Sequence, residues 1–122
     1  MEKIDKDLQR HIKKLNQYEY NLLDTICKYS NITFDNLFNK RRKHAYVNAR
    51  KIATYFLLRK GYKLKAVGGL ISIIPKDHST VTYLYRKASQ HYKLEESFKN
   101  IVDSVESTLS TKPITSLQFK NK

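Results

Sequence analysis

The chain has 122 residues, 40% of them hydrophobic, enough for one modest core and too few for a second, catalytic domain beside it. Twenty-four lysines and arginines against eleven aspartates and glutamates give a formal net charge of +13, and only three glycines and two prolines punctuate the sequence. Sheet architectures built on frequent tight turns are thereby excluded, and an all-α domain with a polyanionic partner is expected.

The N-terminal Met1–Asp5 lacks the apolar stretch of a signal peptide, and no run approaches the ~18 apolar residues of a membrane span. The single cysteine, Cys27, sits in an apolar run and is expected to be a small buried hydrophobe in a cytoplasmic protein. Ile4, Leu8, Ile12, Leu15, Tyr18, Leu22 and Ile26 recur by threes and fours, the stripe of one long amphipathic helix. Its other face carries Lys3, Lys6, Arg10, Lys13 and Lys14. Residues 1–20 are thus expected to form a leading helix, 21–110 the folded domain, and 111–122, polar with a proline, a flexible tail.

Thr33 predicts the N-cap of a short helical turn ending at Phe38, and a basic loop runs from Asn39 to His44. From Ala45 to Lys60 the positions Ala49, Ile52, Ala53 and Phe56 make a core stripe, Gly61 standing as the C-cap. Arg50 and Lys51 fall off that stripe and are expected to face outward. Leu64–Leu70 reads as a short helix, Pro75 breaks the chain, and Asp77 caps the next helix. Val81, Leu84, Tyr85 and Ala88 there face inward, leaving His78, Ser79, Thr82 and Arg86 on or near the exposed face. Two short helices joined by a turn, the second polar at its start, is helix-turn-helix order. Leu94, Phe98, Ile101, Val105 and Leu109 predict a last amphipathic helix folded back on the core.

No acidic residue occurs between Asp35 and Asp77, where eleven lysines and arginines lie. Crowded like charges repel, so their clustering points to a polyanion. His11, His44, His78 and His91 are scattered without partners at metal-ligand spacing. There is no G-x-x-x-x-G-K-[ST] loop for a nucleotide and no set of nucleophile, base and orienting group. A protein that is not an enzyme, without metal, nucleotide or other cofactor, is expected.

The segment Asp77-His78-Ser79-Thr80-Val81, followed by Tyr85-Arg86-Lys87, resembles the C-terminal DNA-binding domain of the bacterial replication initiator DnaA. Three further stretches agree in order: Ile26–Tyr29 with Ile32–Phe38, the basic Lys40-Arg41-Arg42, and Ala49–Leu57. The resemblance runs from about Leu22 to Ser110, and the leading helix resembles the linker to the family's ATPase, which, without a nucleotide loop, is not expected here. It implies a compact helical domain of the Trp-repressor-like kind that binds double-stranded DNA at initiator-type boxes and regulates replication or transcription as a monomer. Arg42 would enter the minor groove, whose narrow A/T-rich form concentrates negative potential, with Lys40, Arg41 and Lys43 close to phosphates. Asp77, His78 and Ser79 would reach base edges in the major groove, while Thr80 and Arg50 would fix register through the backbone. Lys63 and Lys65 would add phosphate contacts, and Lys51 joins the same set. The chain departs from the family where Lys51 replaces a common glutamine and Lys65 a common proline. Its turn, Ile71–Lys76, is two residues longer and without glycine, which bears on the tilt of the recognition helix.

The competing class is a basic interaction module whose leading helix makes weak contact with an acidic membrane or a partner protein. Single-stranded or RNA binding would need an aromatic platform, and the tyrosines fall on helical stripes instead.

Overall fold

The computed structural model describes residues 2–111, with side chains from Lys6 to Ser110. Seven α-helices follow one another among them: α1 (Glu2–Lys13), α2 (Gln17–Ser30), α3 (Phe34–Phe38), α4 (His44–Lys60), α5 (Leu64–Leu70), α6 (His78–Leu94) and α7 (Glu96–Thr111). No strand occurs among the described residues, in agreement with the all-α expectation. None of their helices is long and apolar enough to cross a membrane. The Ile4 side chain and the expected tail from residue 112 lie outside the described residues.

The leading stripe has the expected phase but is carried by two helices, not one. Asn16 Oδ1 accepts from the Glu19 N–H at 2.8 Å, and Glu19 Oε1 accepts from the Asn16 N–H at 2.9 Å. This reciprocal capping box satisfies two free donors of α2 and so favours a new helix start over continuation. The Tyr62 hydroxyl donates to the other Glu19 oxygen at 2.8 Å, tying the elbow to the α4–α5 connection. Periodicity alone could not reveal the break, because Leu15, in the elbow, still packs against the core.

On the near side of that elbow, α1 lies against α3 and the end of α5. His11 is 4% exposed. Its Nε2–H donates to the Leu70 carbonyl at 2.9 Å, and its ring meets Phe38 edge-on at 4.4 Å. Burial, partly countered by the Leu70 bond, pulls the imidazole below its usual pKa of 6.5. Leu8 and Ile12 add their half-buried faces to the same contact.

The core centres on α2, whose Leu22, Leu23 and Ile26 are fully buried, and on α4, which packs along α6. Cys27 is buried among them, its thiol pushed up to about 12 by desolvation and by Asp24. In α4, Ala49, Ile52 and Ala53 are buried as expected. Leu57 takes the fourth core position, and Phe56 is half-buried. Along α7, Phe98, Val102 and Val105 fold back on α2 and α6. Leu94 does not belong to that stripe: Glu95, in extended conformation, separates the helices, and Leu94 is 81% exposed.

Thr33 and Asp77 cap α3 and α6 as predicted, and Gly61 ends α4 in the left-handed region at φ 109°. The longer turn is closed by the helices around it. The Ile73 N–H and the Ser72 hydroxyl both donate to the Phe38 carbonyl, at 3.1 and 3.3 Å, and the Lys76 N–H donates to the Gly68 carbonyl at 3.1 Å. A Cβ on Gly68 would overlap the Lys76 carbonyl oxygen. The glycine absent from the turn is thus found in α5, where it lets the turn lie on the helix.

Two outcomes follow. Gly68→Ala should lower stability by about 1–3 kcal/mol in urea denaturation. Gly69→Ala, where nothing lies within 4 Å of the added carbon, should raise it by roughly 0.5–1 kcal/mol. For His11, the unfolded chain takes up a proton near pH 6.5 that the folded one resists. Its contribution is therefore complete above pH 6.5 and lost as pH falls below it, so melting temperatures should drop between pH 7.5 and 5.5. His11→Gln should shrink that drop, the remainder coming from His91, also held below its usual pKa, mainly by burial.

Candidate nucleic-acid interface

The last turn of α3 ends with carbonyls that have no helical partner, and the basic loop adds more. Arg50 supplies the donors. Its Nε–H reaches the Leu37 carbonyl at 2.7 Å and Nη1 the Arg41 carbonyl at 2.8 Å. Nη2 serves the carbonyls of Asn36 at 3.1 Å and Asn39 at 2.6 Å. The expectation that Arg50 faces outward is therefore corrected: it is 3% exposed. Four carbonyl oxygens match the donors of the planar guanidinium and offset part of the cost of burying it. Burial, and then the neighbouring Arg42, lower its pKa. Asn39 Oδ1 accepts from the Arg41 N–H at 2.8 Å and completes the turn of the loop.

Lys51 is also buried, at 9% exposed, and correspondingly does not face outward. Burial lowers its pKa first, with Glu95 and Lys87 as its charged neighbours. Lys87 lies nine residues beyond His78, roughly 13 Å along α6. Lys51 thus belongs to the far half of that helix.

At the near end, Asp77 Oδ1 accepts from the Thr80 N–H at 2.8 Å. That bond, followed by one from the Thr80 side chain, holds the carboxyl below its usual range. His78 and Ser79 are exposed in the first turn, Thr80 half-buried. Between this end of α6 and the basic loop lies a cleft of about 360 Å³, lined by Arg42, Arg50, Lys76, Ser79 and Thr80 over an apolar wall of Val47, Tyr83 and Leu84. The loop and the helix start therefore share one face of the molecule.

The remaining basic residues divide. Lys40 and Arg41 are exposed but line a second cleft, of about 320 Å³, together with Asp7 and Asp35. Lys43 is exposed at the start of α4, its ammonium 6.0 Å from the Tyr46 ring centre. Lys63 and Lys65 are exposed at the beginning of α5, the end away from the turn. Sequence reasoning counted Lys76 in the acid-free stretch but did not place it in the site. Its signal was its position immediately before the Asp77 cap. Tyr83 and Val47 were legible only as helix positions. Among the described residues no group of histidine, cysteine, aspartate and glutamate could hold a metal ion.

A family model for the bacterial DnaA protein helix-turn-helix matches residues 20–88, from α2 into α6. The chain is also similar to the chromosomal replication initiator protein DnaA of Mycoplasma pneumoniae, 26% identical over 88 residues, and to that of Bacteroides thetaiotaomicron, 31% identical over 94 residues. These alignments cover 70% and 75% of this chain, which spans only 19% of the length of either relative. Both clefts fall largely within the matched segment; Asp7 lies before it.

Removing the Arg50 fork should free the loop. Arg50→Ala is expected to cost on the order of 3 kcal/mol in urea denaturation, because one buried and three part-buried carbonyls lose their donor. Amide hydrogen exchange should accelerate across residues 39–43. Arg50→Lys should recover little of either, since an ammonium cannot reproduce the planar fork.

Proposed function

Because the chain belongs to the bacterial DnaA helix-turn-helix family, we propose that it binds double-stranded DNA, reads initiator-type boxes in a sequence-specific way, and regulates replication initiation or transcription by occupying them. The observation that carries this reading is the shared cleft: Arg42 stands on one wall and Ser79 and Thr80 on the other. A duplex laid over that face meets a helix end suited to the major groove and a basic loop suited to the adjacent minor groove.

In this account α6 is the recognition helix. His78 and Ser79, exposed in its first turn, and Asp77, beside them, face base edges; Arg42 enters the minor groove. Thr80 and Lys43 hold phosphates. Lys40 and Arg41, lining the second cleft, and Lys63 and Lys65, at the start of α5, make outlying backbone contacts. Arg50 acts through the loop it holds, and Lys51 has a structural role beside α6. The protein works by occupancy and not by catalysis, as a monomer in the bacterial cytoplasm or nucleoid, with no nucleotide, metal or other cofactor.

Fluorescence anisotropy against a box-bearing duplex and a scrambled one tests this. Wild type should prefer the box, with affinity for both falling steeply as salt rises. Equal affinities would remove sequence reading from the proposal. Arg42→Ala and His78→Ala should each reduce the preference by about 1–3 kcal/mol. Lys43→Ala should weaken both duplexes alike.

A further inference from the structure

We propose that the cleft between the basic loop and α6 seats one phosphodiester of the bound duplex, where the backbone passes between the two grooves, and that Lys76 is the side chain that grips it. This rests on the duplex-binding reading above and assigns a contact to a residue outside the family's quoted signature.

Three cations, Arg42, Arg50 and Lys76, converge on this cleft. Among the described residues none of them has a carboxylate within ion-pair distance; the ion pairs are Asp7–Arg10, Asp24–Lys28, His91–Glu95 and Lys99–Asp103. The closest candidate, Asp77, has its carboxylate turned to the Thr80 N–H. Lys76 is half-buried, and its ammonium is disfavoured first by burial and then by Arg50 and Arg42. A folded chain that holds Arg42 and Lys76 together without a counter-charge, beside the carbonyl-bound Arg50, is disposed toward a compact anion. The Ser79 side chain adds a hydroxyl donor to the same wall.

The position is also built. The Lys76 N–H is bound to the Gly68 carbonyl, and its own carbonyl lies against Gly68, so the backbone that bears the ammonium is fixed to α5. Val47 and Leu84 form an apolar lining that strengthens charge interactions beside it. Positive charge continues from Arg42, in the cleft, to its exposed chain neighbour Lys43. That continuation suits a polymer of phosphates better than a free phosphate.

The test is the salt dependence of duplex binding by the full chain. One fewer neutralised phosphate lowers the slope of log K against log salt by about 0.9. Lys76→Gln should lower it by that amount on box-bearing and scrambled duplexes alike, with severalfold weaker binding and unchanged melting temperature. Lys76→Arg should restore the slope. A box duplex carrying a neutral methylphosphonate, moved one position at a time, should show one position at which wild type loses the same slope and Lys76→Gln loses nothing more.

An unchanged slope in Lys76→Gln, while wild type still binds duplex, would overturn this assignment and leave the proposed function standing. A loss confined to the box would make Lys76 a base reader and overturn it too. Saturable, Lys76-dependent binding of ATP or inorganic phosphate without DNA would give the cleft to a free phosphate instead. Absence of duplex binding by wild type would overturn both proposals together.

Discussion

The basic loop is held in place by a buried guanidinium. Arg50 donates to the carbonyls of Asn36, Leu37, Asn39 and Arg41, and so joins the end of α3, the loop and the middle of α4 in one unit. Without such a fork, the exposed run Lys40–Lys43 would have to be ordered by charges that repel one another. Hydrogen bonds from a charged donor are worth about 1.5–3 kcal/mol each, well above neutral ones, which is enough to order a loop of five residues against its own repulsion. The cleft, the direction of Arg42 and the relation of the loop to α6 all depend on this anchor.

A second constraint shapes the opposite wall. The turn before α6 is long, yet it is drawn tightly onto its surroundings through the Phe38 and Gly68 carbonyls. Phe38 is the last residue of α3, so the turn and the basic loop leave the same structural point. The two walls are thereby referenced to one short helix. Phe38 in turn receives the ring of His11, and Leu70 receives its N–H, so α1 buttresses the junction from behind. Leu8 and Ile12 of that helix pack half-buried against the core.

The molecule tolerates concentrated positive charge by separating it. Arg50 is bound by backbone carbonyls, Lys51 lies near Glu95 at the far half of α6, and Lys40 and Arg41 line another cleft that also holds Asp7 and Asp35. Within the cleft, Lys76 and Arg42 have neither a carboxylate partner nor a carbonyl fork, at the mouth shared with Ser79 and Thr80. Their repulsion is met by no carboxylate among the described residues.

By itself the amino-acid sequence determined the helical class, the caps at Thr33, Gly61 and Asp77, the inward faces of α4 and α6, and the family, because each depends on residues near one another in the chain. Spacing decides which side of a helix is apolar, and a capping side chain reaches only three residues ahead. The elbow at Asn16 was local too, but an unbroken hydrophobic rhythm concealed it. Tertiary structure alone decided the role of Arg50, the withdrawal of Lys51 and the prominence of Lys76. A charged residue off the apolar stripe looks solvent-facing until distant carbonyls or a neighbouring helix arrive beside it. Hydrogen bonds spanning nine to fourteen residues, and a glycine in one helix that admits the carbonyl of a later turn, have no period to read.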